Sequence, residues 1–411
     1  MRKGQLNRHT RHRPATNYLT KHCHDDSCVV RPAFIHSTAR VRDHIMASSS
    51  GADGDLTDGD LRRACRSLLA AHEAHALPIH QLYSGPFGKL SDEERLEAQR
   101  HAIADALWRC GLADAAHMTI VEFGAGDGAL SRTLSARGIA SKFLLIDKNK
   151  RRIGRAFEGT EAAMQQLCAE IGIIEPETLR AAAPDDTVVV VCNHLCGGAL
   201  DDAIRCALAA WDRPRAGGIG GGDSSSEAFG GSQLAGVVSV TCCHHNCCCT
   251  TLLGRQQFLR DVCGLTDGEL ELARDWSRMA PRREKPAESR PRLVETAQQL
   301  CISPDDAADL GMCCRVLLDS ARALHLQQRG FSVALAHHVP NTLTADNLMI
   351  LASRRRPLQA GSAYAAVELD RNGPLPCPPV QTIQLPSSAV EPLPSSTSTP
   401  AAEPMFWSLF G

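Results

Sequence analysis

The stretch VEFGAGDG, Val121 to Gly128, constrains the fold of this 411-residue chain more than any other segment. It lies between an apolar run, 118–123, and a helical pattern, 129–136. A second apolar run, 143–146, follows and ends at Asp147. A strand, a glycine turn, a helix and a strand ending in a carboxylate form the unit with which open α/β sheets bind a nucleoside cofactor. The glycines permit positive φ and close backbone approach, and the carboxylate accepts hydrogen bonds from ribose hydroxyls.

The composition of this turn indicates which cofactor it binds. The glycines are spaced Gly-x-Gly-x-Gly, whereas dinucleotide sites use Gly-x-Gly-x-x-Gly. Glu122 and Asp127 add two acidic side chains, which would repel a pyrophosphate but suit the cationic amino acid end of S-adenosylmethionine. We therefore predict a methyl donor site, with a dinucleotide site and a ligand-free structural turn as the alternatives. The predicted donor-binding residues are Glu122, Gly124, Gly126, Gly128 and Asp147.

Charge and cysteine usage narrow the class of protein and its compartment. The net charge of −2 does not advertise a nucleic-acid partner, although basic clusters occur at 148–155, 282–292 and 354–356. Many of the 18 cysteines are adjacent or lie in apolar runs, and no secretory signal or membrane-spanning run appears. Free thiols in the cytoplasm or nucleus are the expectation. An organellar location stays open, because the first 24 residues contain no acidic residue, as in a transit peptide. A separate possibility is that the protein starts at Met46.

The remaining pattern predicts a Rossmann-like α/β fold of the class I methyltransferase type. We expect five parallel strands and a closing hairpin, which make a seven-stranded, mostly parallel sheet with helices on both faces. The predicted strands are 118–123, 142–147, 168–174, 187–192, 237–241, 331–339 and 347–353. The predicted helices include 56–76, 91–110, 198–211 and 305–329, whereas the prolines of 264–302 predict irregular structure there.

The same pattern divides the chain into four regions. Residues 1–54 are predicted to be a disordered basic segment, and 55–115 a helical lead-in. Residues 116–356 form the predicted methyltransferase domain, with a flexible Gly/Ser-rich insertion at 212–235. The Pro/Ser-rich tail, 357–411, is predicted to be disordered.

Imidazoles and thiols follow two of the predicted strands. One strand runs into Asn193-His194-Leu195-Cys196-Gly197-Gly198, and the next runs into the cluster Cys242–Cys249, CCHHNCCC. Ligands bind beyond the carboxyl ends of such strands, so His194 and His245 are our candidates for a general base. We predict no metal site, because consecutive residues of an extended chain point to opposite sides. The alternative is that these side chains pack as small apolar groups.

Taken together, these segments resemble the eukaryotic tRNA acceptor-stem 2'-O-methyltransferases, the tRNA:m4X modification enzymes. The resemblance covers roughly 96–353. It rests on the following motifs: VEFGAGDGAL at 121–130; HLCGGA at 194–199 with Asp201 and Arg205-Cys206; CCHHNC at 242–247; Asp319 and Arg322 before Gly330-Phe331; and Asp346-Asn347-Leu348.

The resemblance implies S-adenosylmethionine as donor and a ribose 2'-hydroxyl of the tRNA acceptor stem, at position 4, as acceptor. Lys148, Arg151 and Arg322 are the candidates for phosphate contacts. The resemblance also implies N-terminal zinc-binding segments, but Cys23, His24 and Cys28 do not supply a zinc-finger spacing. Related methyltransferases share looser forms of the strand-end motifs, so a protein or small-molecule acceptor is the alternative. No membrane partner is expected, and the oligomeric state is left open.

Overall fold

The computed structural model describes residues 56–83, 90–114, 116–149, 163–183, 187–212, 233–280 and 290–355. The two segments predicted to be disordered, 1–54 and 357–411, lie outside these ranges, as does most of the predicted insertion, 213–232.

A single sheet of eight strands organises the described part of the chain. Its strands are β1 (Ile79–Gln81), β2 (Met118–Phe123), β3 (Lys142–Asp147), β4 (Ala163–Cys168), β5 (Thr187–Asn193), β6 (Gln233–Val240), β7 (Ser332–His337) and β8 (Leu348–Ser353). Their spatial order is β1-β7-β8-β6-β5-β2-β3-β4. Strand β8 runs antiparallel to its neighbours β6 and β7, and every other pair is parallel. The predicted mostly parallel sheet with its closing hairpin is therefore confirmed.

The sheet differs from the prediction at its edges. The eighth strand, β1, has only three residues and pairs with β7, so it leaves no periodic signal in the sequence. The strand predicted at 168–174 lies earlier, at β4, whose residues are half-buried or exposed because it is the other edge. Ile171 and Ile174, two apolar residues of the predicted segment, instead pack from a short 3-10 turn against the core. Strand β6 begins at Gln233, inside the predicted insertion.

Helices cover both faces of the sheet. They are α1 (Leu56–His75), α2 (Asp92–Arg109), α3 (Ala129–Ala136), α4 (Pro176–Ala182), α5 (Gly198–Trp211), α6 (Asp267–Trp276), α7 (Pro291–Leu300) and α8 (Pro304–Gln328). Ser91 and Glu94 form a capping box that starts α2, as the sequence pattern indicates. None of the described helices is both long enough and apolar enough to cross a membrane.

The prediction of irregular structure across 264–302 is wrong. A capping box of Thr266 and Glu269 starts α6. Pro291 occupies the first turn of α7, where a missing N–H costs no intrahelical hydrogen bond. Proline therefore begins a helix here instead of breaking one.

The sheet separates two hydrophobic cores. Val121 and Phe123 of β2 face the larger core, which includes residues of α1, α5 and α8. Met118 and Ile120 face the smaller core together with residues of α2 and α3. This alternation places Glu122 on the face of α2 and α3.

Candidate functional site

The glycine turn after β2 adopts the backbone that its sequence predicts. Gly124, Gly126 and Gly128 have φ values of 72°, 58° and 73°. A Cβ atom on Gly126 would meet nothing within 4 Å, so the backbone of the turn borders open space. Residues with side chains rarely adopt such angles, and here they keep the backbone accessible to a ligand.

The carboxylate of Asp147 joins the glycine turn to the end of β3. Its Oδ2 accepts a hydrogen bond from Gly126 N at 2.9 Å, and its Oδ1 accepts one from Asn149 N at 2.8 Å. Each oxygen keeps further acceptor capacity, because a carboxylate oxygen has two lone pairs. The structure thus orients Asp147 beside the open face of the turn, where the sequence places a ribose ligand.

Glu122 lies beneath the turn and is 2% exposed. Its Oε2 accepts hydrogen bonds from both the backbone N and the Oγ of Ser131 in α3. Burial raises the pKa of Glu122 to about 7, although the Ser131 hydrogen bonds oppose the shift. The described contacts of Glu122 therefore position the first turn of α3, and its direct contact with a donor stays a prediction.

The loops after β2, β5 and β6 meet at the C-terminal ends of these parallel strands. A Cβ atom on Gly124 would lie 2.8 Å from Cδ1 of Leu195, so the first two loops are in contact. A Cβ atom on Gly197 would lie 2.4 Å from the backbone oxygen of Asn246, so the second and third loops are also in contact. The meeting of these three loops, which the sequence analysis predicted, is confirmed. It also lies where β2 has β3 on one side and β5 on the other, the switch point at which open sheets bind ligands.

His194 directly follows β5 and has a left-handed backbone conformation, with φ 57°. Its Nε2 lies 3.2 Å from Oε1 of Gln99, whose own Nε2 donates to the Arg95 carbonyl at 3.3 Å. The Gln99 amide therefore presents its oxygen, and His194 Nε2 must be the donor. Nδ1 is then the proton-accepting nitrogen. Burial lowers the pKa of His194, which favours the neutral, basic form.

His245 lies in the 3-10 turn His244–Asn246 and is partly buried. The backbone of Asn246, the last residue of this turn, contacts Gly197 in the loop of His194. Both predicted histidines thus lie on loops that pack against each other, and both stay candidates for the base.

His244, by contrast, belongs to a buried network of charged groups. Its Nε2 lies 2.8 Å from Oδ2 of Asp319, which also accepts from Oγ1 of Thr241 at 2.7 Å. The other carboxylate oxygen of Asp319 accepts from Nη1 of Arg322 at 3.0 Å. Nε and Nη2 of Arg322 bind the two oxygens of Asp201 at 3.0 and 2.8 Å. The network ties the loop after β6 to α8 and α5.

The prediction that Arg322 contacts phosphate is therefore wrong. Its side chain is 2% exposed, and all three guanidinium nitrogens bind carboxylates. Its partner Asp201 is 121 residues away in sequence, so the chain alone does not reveal the pair. Lys148 is exposed directly after Asp147, whereas Arg151 lies outside the described residues.

Two polar residues at the C-terminal ends of these strands were given no functional role in the sequence analysis. Gln99 orients His194 from α2, across 95 residues of sequence. Asn193 ends β5, and its buried Oδ1 has no hydrogen-bond partner among the residues that the structure describes. A buried amide oxygen without a partner indicates a place for a ligand donor. The position of Asn193 at the end of a strand beside the switch point was the available signal.

The sequence argument against a metal site assumed an extended chain after β6. The structure instead has a tight turn centred on Cys243, with φ −89° and ψ 63°, closed by a hydrogen bond from His244 N to Cys242 O at 3.1 Å. These values describe an inverse γ-turn, in which consecutive side chains no longer alternate. The Sγ atoms of Cys242, Cys243 and Cys196 consequently lie within 4.8 Å of one another.

The strand order, the antiparallel closing strand, the glycine turn and the carboxylate at the end of β3 define a class I, Rossmann-like methyltransferase fold. Within that class, the chain belongs to the family described as Methyltransferase TRM13, whose profile matches residues 98–353. A comparison with curated proteins found no match.

Solved structures with a similar fold include methyltransferases of diverse substrates. The 23S rRNA methyltransferase ErmE is 16% identical, with a TM-score of 0.29 over 64% of this chain and 71% of ErmE. Human N-acetylserotonin methyltransferase, solved with S-adenosylmethionine, is 11% identical, with a TM-score of 0.28 over 71% of this chain and 67% of that enzyme. The family assignment rests on the profile match and the fold class on the strand order, and neither rests on these likenesses.

Proposed function

We propose that this methyltransferase transfers a methyl group from S-adenosylmethionine to a ribose 2'-hydroxyl in the tRNA acceptor stem, at position 4. Membership of the TRM13 family supports an RNA acceptor. The contact between the glycine turn and the loop of His194, made by Gly124 and Leu195, is the observation that carries the proposal. This contact brings the glycine turn and the imidazole of His194 together at the C-terminal ends of the strands.

The residues of the turn fit the donor. The backbone at Gly126 is open, and Asp147 stands beside it with acceptor capacity for ribose hydroxyls. The buried Oδ1 of Asn193 can accept a hydrogen bond from a bound amine. When bound, the donor supplies a methyl group on a sulfonium, already activated for transfer. Gly124, Gly126, Gly128, Asp147 and Asn193 would hold it.

The acceptor oxygen must lose a proton as it is methylated. His194 suits this task, because Gln99 fixes Nε2 as a donor and leaves Nδ1 to receive the proton. A positioned base of this kind accelerates a reaction by about 10²–10⁴-fold. His245, on the adjoining loop, is the second candidate for the same role.

The phosphates of the acceptor stem need cations near the donor site. Lys148 is exposed immediately after the ribose-binding carboxylate, and the cluster 148–155 continues its charge, with Arg151 among its members. Such contacts position the RNA without reading its sequence. With Arg322 buried in the network, this cluster carries the proposed phosphate contacts. A location in the cytoplasm or nucleus, where free thiols persist, fits this substrate.

The decisive experiment is methyl transfer from labelled donor to total tRNA, with peptide pools as the competing acceptor. We expect label in tRNA, and nucleoside mapping should place it on a ribose 2'-oxygen of the acceptor stem. Label in the peptide pool alone would contradict the proposed acceptor and favour a protein substrate.

The base is tested by His194→Ala, with His245→Ala as the matched variant on the adjoining loop. The single-turnover rate with saturating tRNA should fall about 10²–10⁴-fold in the variant that lacks the base. A fall in His245→Ala alone would move the role to His245, and full rates in both variants would show that neither acts.

A further inference from the structure

Three thiols from two loops converge beside the proposed site. The Sγ atoms of Cys196 and Cys242 lie 3.1 Å apart, and both lie within 4.8 Å of the Sγ of Cys243. A tetrahedral zinc ion with Zn–S bonds of about 2.3 Å requires sulfurs about 3.8 Å apart. The Cys196–Cys242 separation is somewhat shorter than this value, and the other two are no longer than 4.8 Å, so side-chain adjustments of about an ångström or less would complete the triangle.

The loop that carries two of these thiols is held rigidly from both ends. Thr241 precedes Cys242, and His244 follows Cys243; both contact the same oxygen of Asp319, at 2.7 and 2.8 Å. All three anchoring side chains are at most 2% exposed. The γ-turn between the anchors points Cys242 and Cys243 toward the loop of Cys196. A pre-set arrangement of ligands is what a metal site requires.

Packing does not explain the third thiol. Cys242 is buried and Cys243 half-buried, but Cys196 is exposed, so its thiol contributes little as an apolar group. A Cys196–Cys242 disulfide would need an S–S distance of about 2.05 Å, well below the observed separation. Three convergent sulfurs, one of them reachable from solvent, match the ligand chemistry of a borderline-soft divalent cation.

We propose that Cys196, Cys242 and Cys243 bind a zinc ion that joins the loops after β5 and β6. The described residues provide no fourth His, Cys, Asp or Glu in this group, so the remaining coordination position belongs to water. Binding three thiolates releases their protons, and the ion then cross-links the loop of His194 to that of His245. The zinc site goes beyond the proposed function. The proposal of this site does not depend on which acceptor the enzyme methylates.

The test uses the full chain, purified under reducing conditions from zinc-supplemented medium. Metal content per chain is measured by inductively coupled plasma mass spectrometry in the wild type, in Cys196→Ser and in Cys248→Ser. Cys248 is the matched control, since it is exposed in the same loop and its Sγ lies 3.0 Å from Oγ1 of Thr250, outside the triangle. We expect Cys196→Ser to lose about one zinc per chain and Cys248→Ser to lose none.

Cobalt substitution adds a spectroscopic readout. Thiolate-to-cobalt charge-transfer absorption reports sulfurs bound to the ion, so the part that comes from this site should be absent in Cys196→Ser and in Cys243→Ser and unchanged in Cys248→Ser. Any metal bound by the N-terminal Cys23, His24 and Cys28 contributes equally to every variant and cancels in the comparison. Circular dichroism confirms the fold of each variant.

Equal zinc content in the wild type and Cys196→Ser would overturn the proposal. So would a Cys196–Cys242 disulfide, found by mass spectrometry, in wild-type protein from which no metal is recovered. Because the measurements need neither donor nor tRNA, their outcome is separable from that of the methyl-transfer assay.

Discussion

The two sides of the candidate site are built in different ways. On one side, the glycine turn depends on local backbone geometry, with three positive φ angles and an open face at Gly126. On the other side, the loop after β6 depends on buried side chains from distant segments, above all Asp319, Arg322 and Asp201. The comparison shows that the binding side is encoded in a short motif, whereas the proposed catalytic side is encoded in long-range pairing.

Disrupting the buried network on the side of the loop after β6 should produce the largest loss of stability. Arg322→Met leaves two buried carboxylates without their cation, which costs about 3–5 kcal/mol of the free energy of unfolding. The control is Arg205→Met, which removes a half-exposed pair with Asp202 on α5 and should cost at most about 1 kcal/mol. Urea denaturation measures both variants, and equal losses would show that the network is not the stronger element.

On the side of the glycine turn, Glu122 should make the free energy of unfolding depend on pH. Its folded pKa of about 7 lies above its ordinary value of 4.5, so the folded state holds a proton that the unfolded state releases between these values. The stabilisation is complete below pH 4.5 and is lost as pH rises through 7. Relative to Glu122→Gln, the wild type should lose about 3 kcal/mol between pH 4.5 and 8.

This linkage is measured as the difference in unfolding free energy between wild type and Glu122→Gln at several pH values. Glu170→Gln, which changes an exposed carboxyl, is the control. A difference that stays constant with pH would show that burial does not hold the proton on Glu122.

Asp147→Asn should weaken donor binding and also cost about 1 kcal/mol of stability, because the NH2 group of the amide cannot accept the hydrogen bond from Asn149 N. The amide keeps an oxygen for Gly126 N but loses the charge that strengthens ribose hydrogen bonds. Loss of a hydrogen bond to a charged group predicts a Kd increase of about 10–100-fold. Isothermal titration with S-adenosylmethionine measures it, with Asp305→Asn, an exposed acidic residue in the first turn of α8, as the control. An unchanged Kd would remove Asp147 from the site.

Two glycine substitutions should have a similarly small effect on stability, and comparing them separates backbone strain from ligand contact. Gly126→Ala and Gly138→Ala both place a Cβ in open space at φ 58° and 65°, so each should cost about 1 kcal/mol. Only Gly126→Ala should also weaken donor binding, because Gly138 lies after α3 and away from the turn. Thermal unfolding and donor titration check the pair; similar donor affinities would move the binding surface elsewhere.

The sequence determined the elements whose signals are local. The continuous apolar run of β5, the glycine turn, the capping box of α2 and the closing hairpin all follow from neighbouring residues, so the sheet and its donor-binding edge were predictable. Tertiary structure alone decided the three-residue edge strand β1 and the burial of Arg322 between Asp201 and Asp319. It also decided the γ-turn that gathers Cys196, Cys242 and Cys243. These features depend on contacts between segments far apart in the chain, and no local pattern of hydrophobicity or spacing encodes which distant side chain will be the partner.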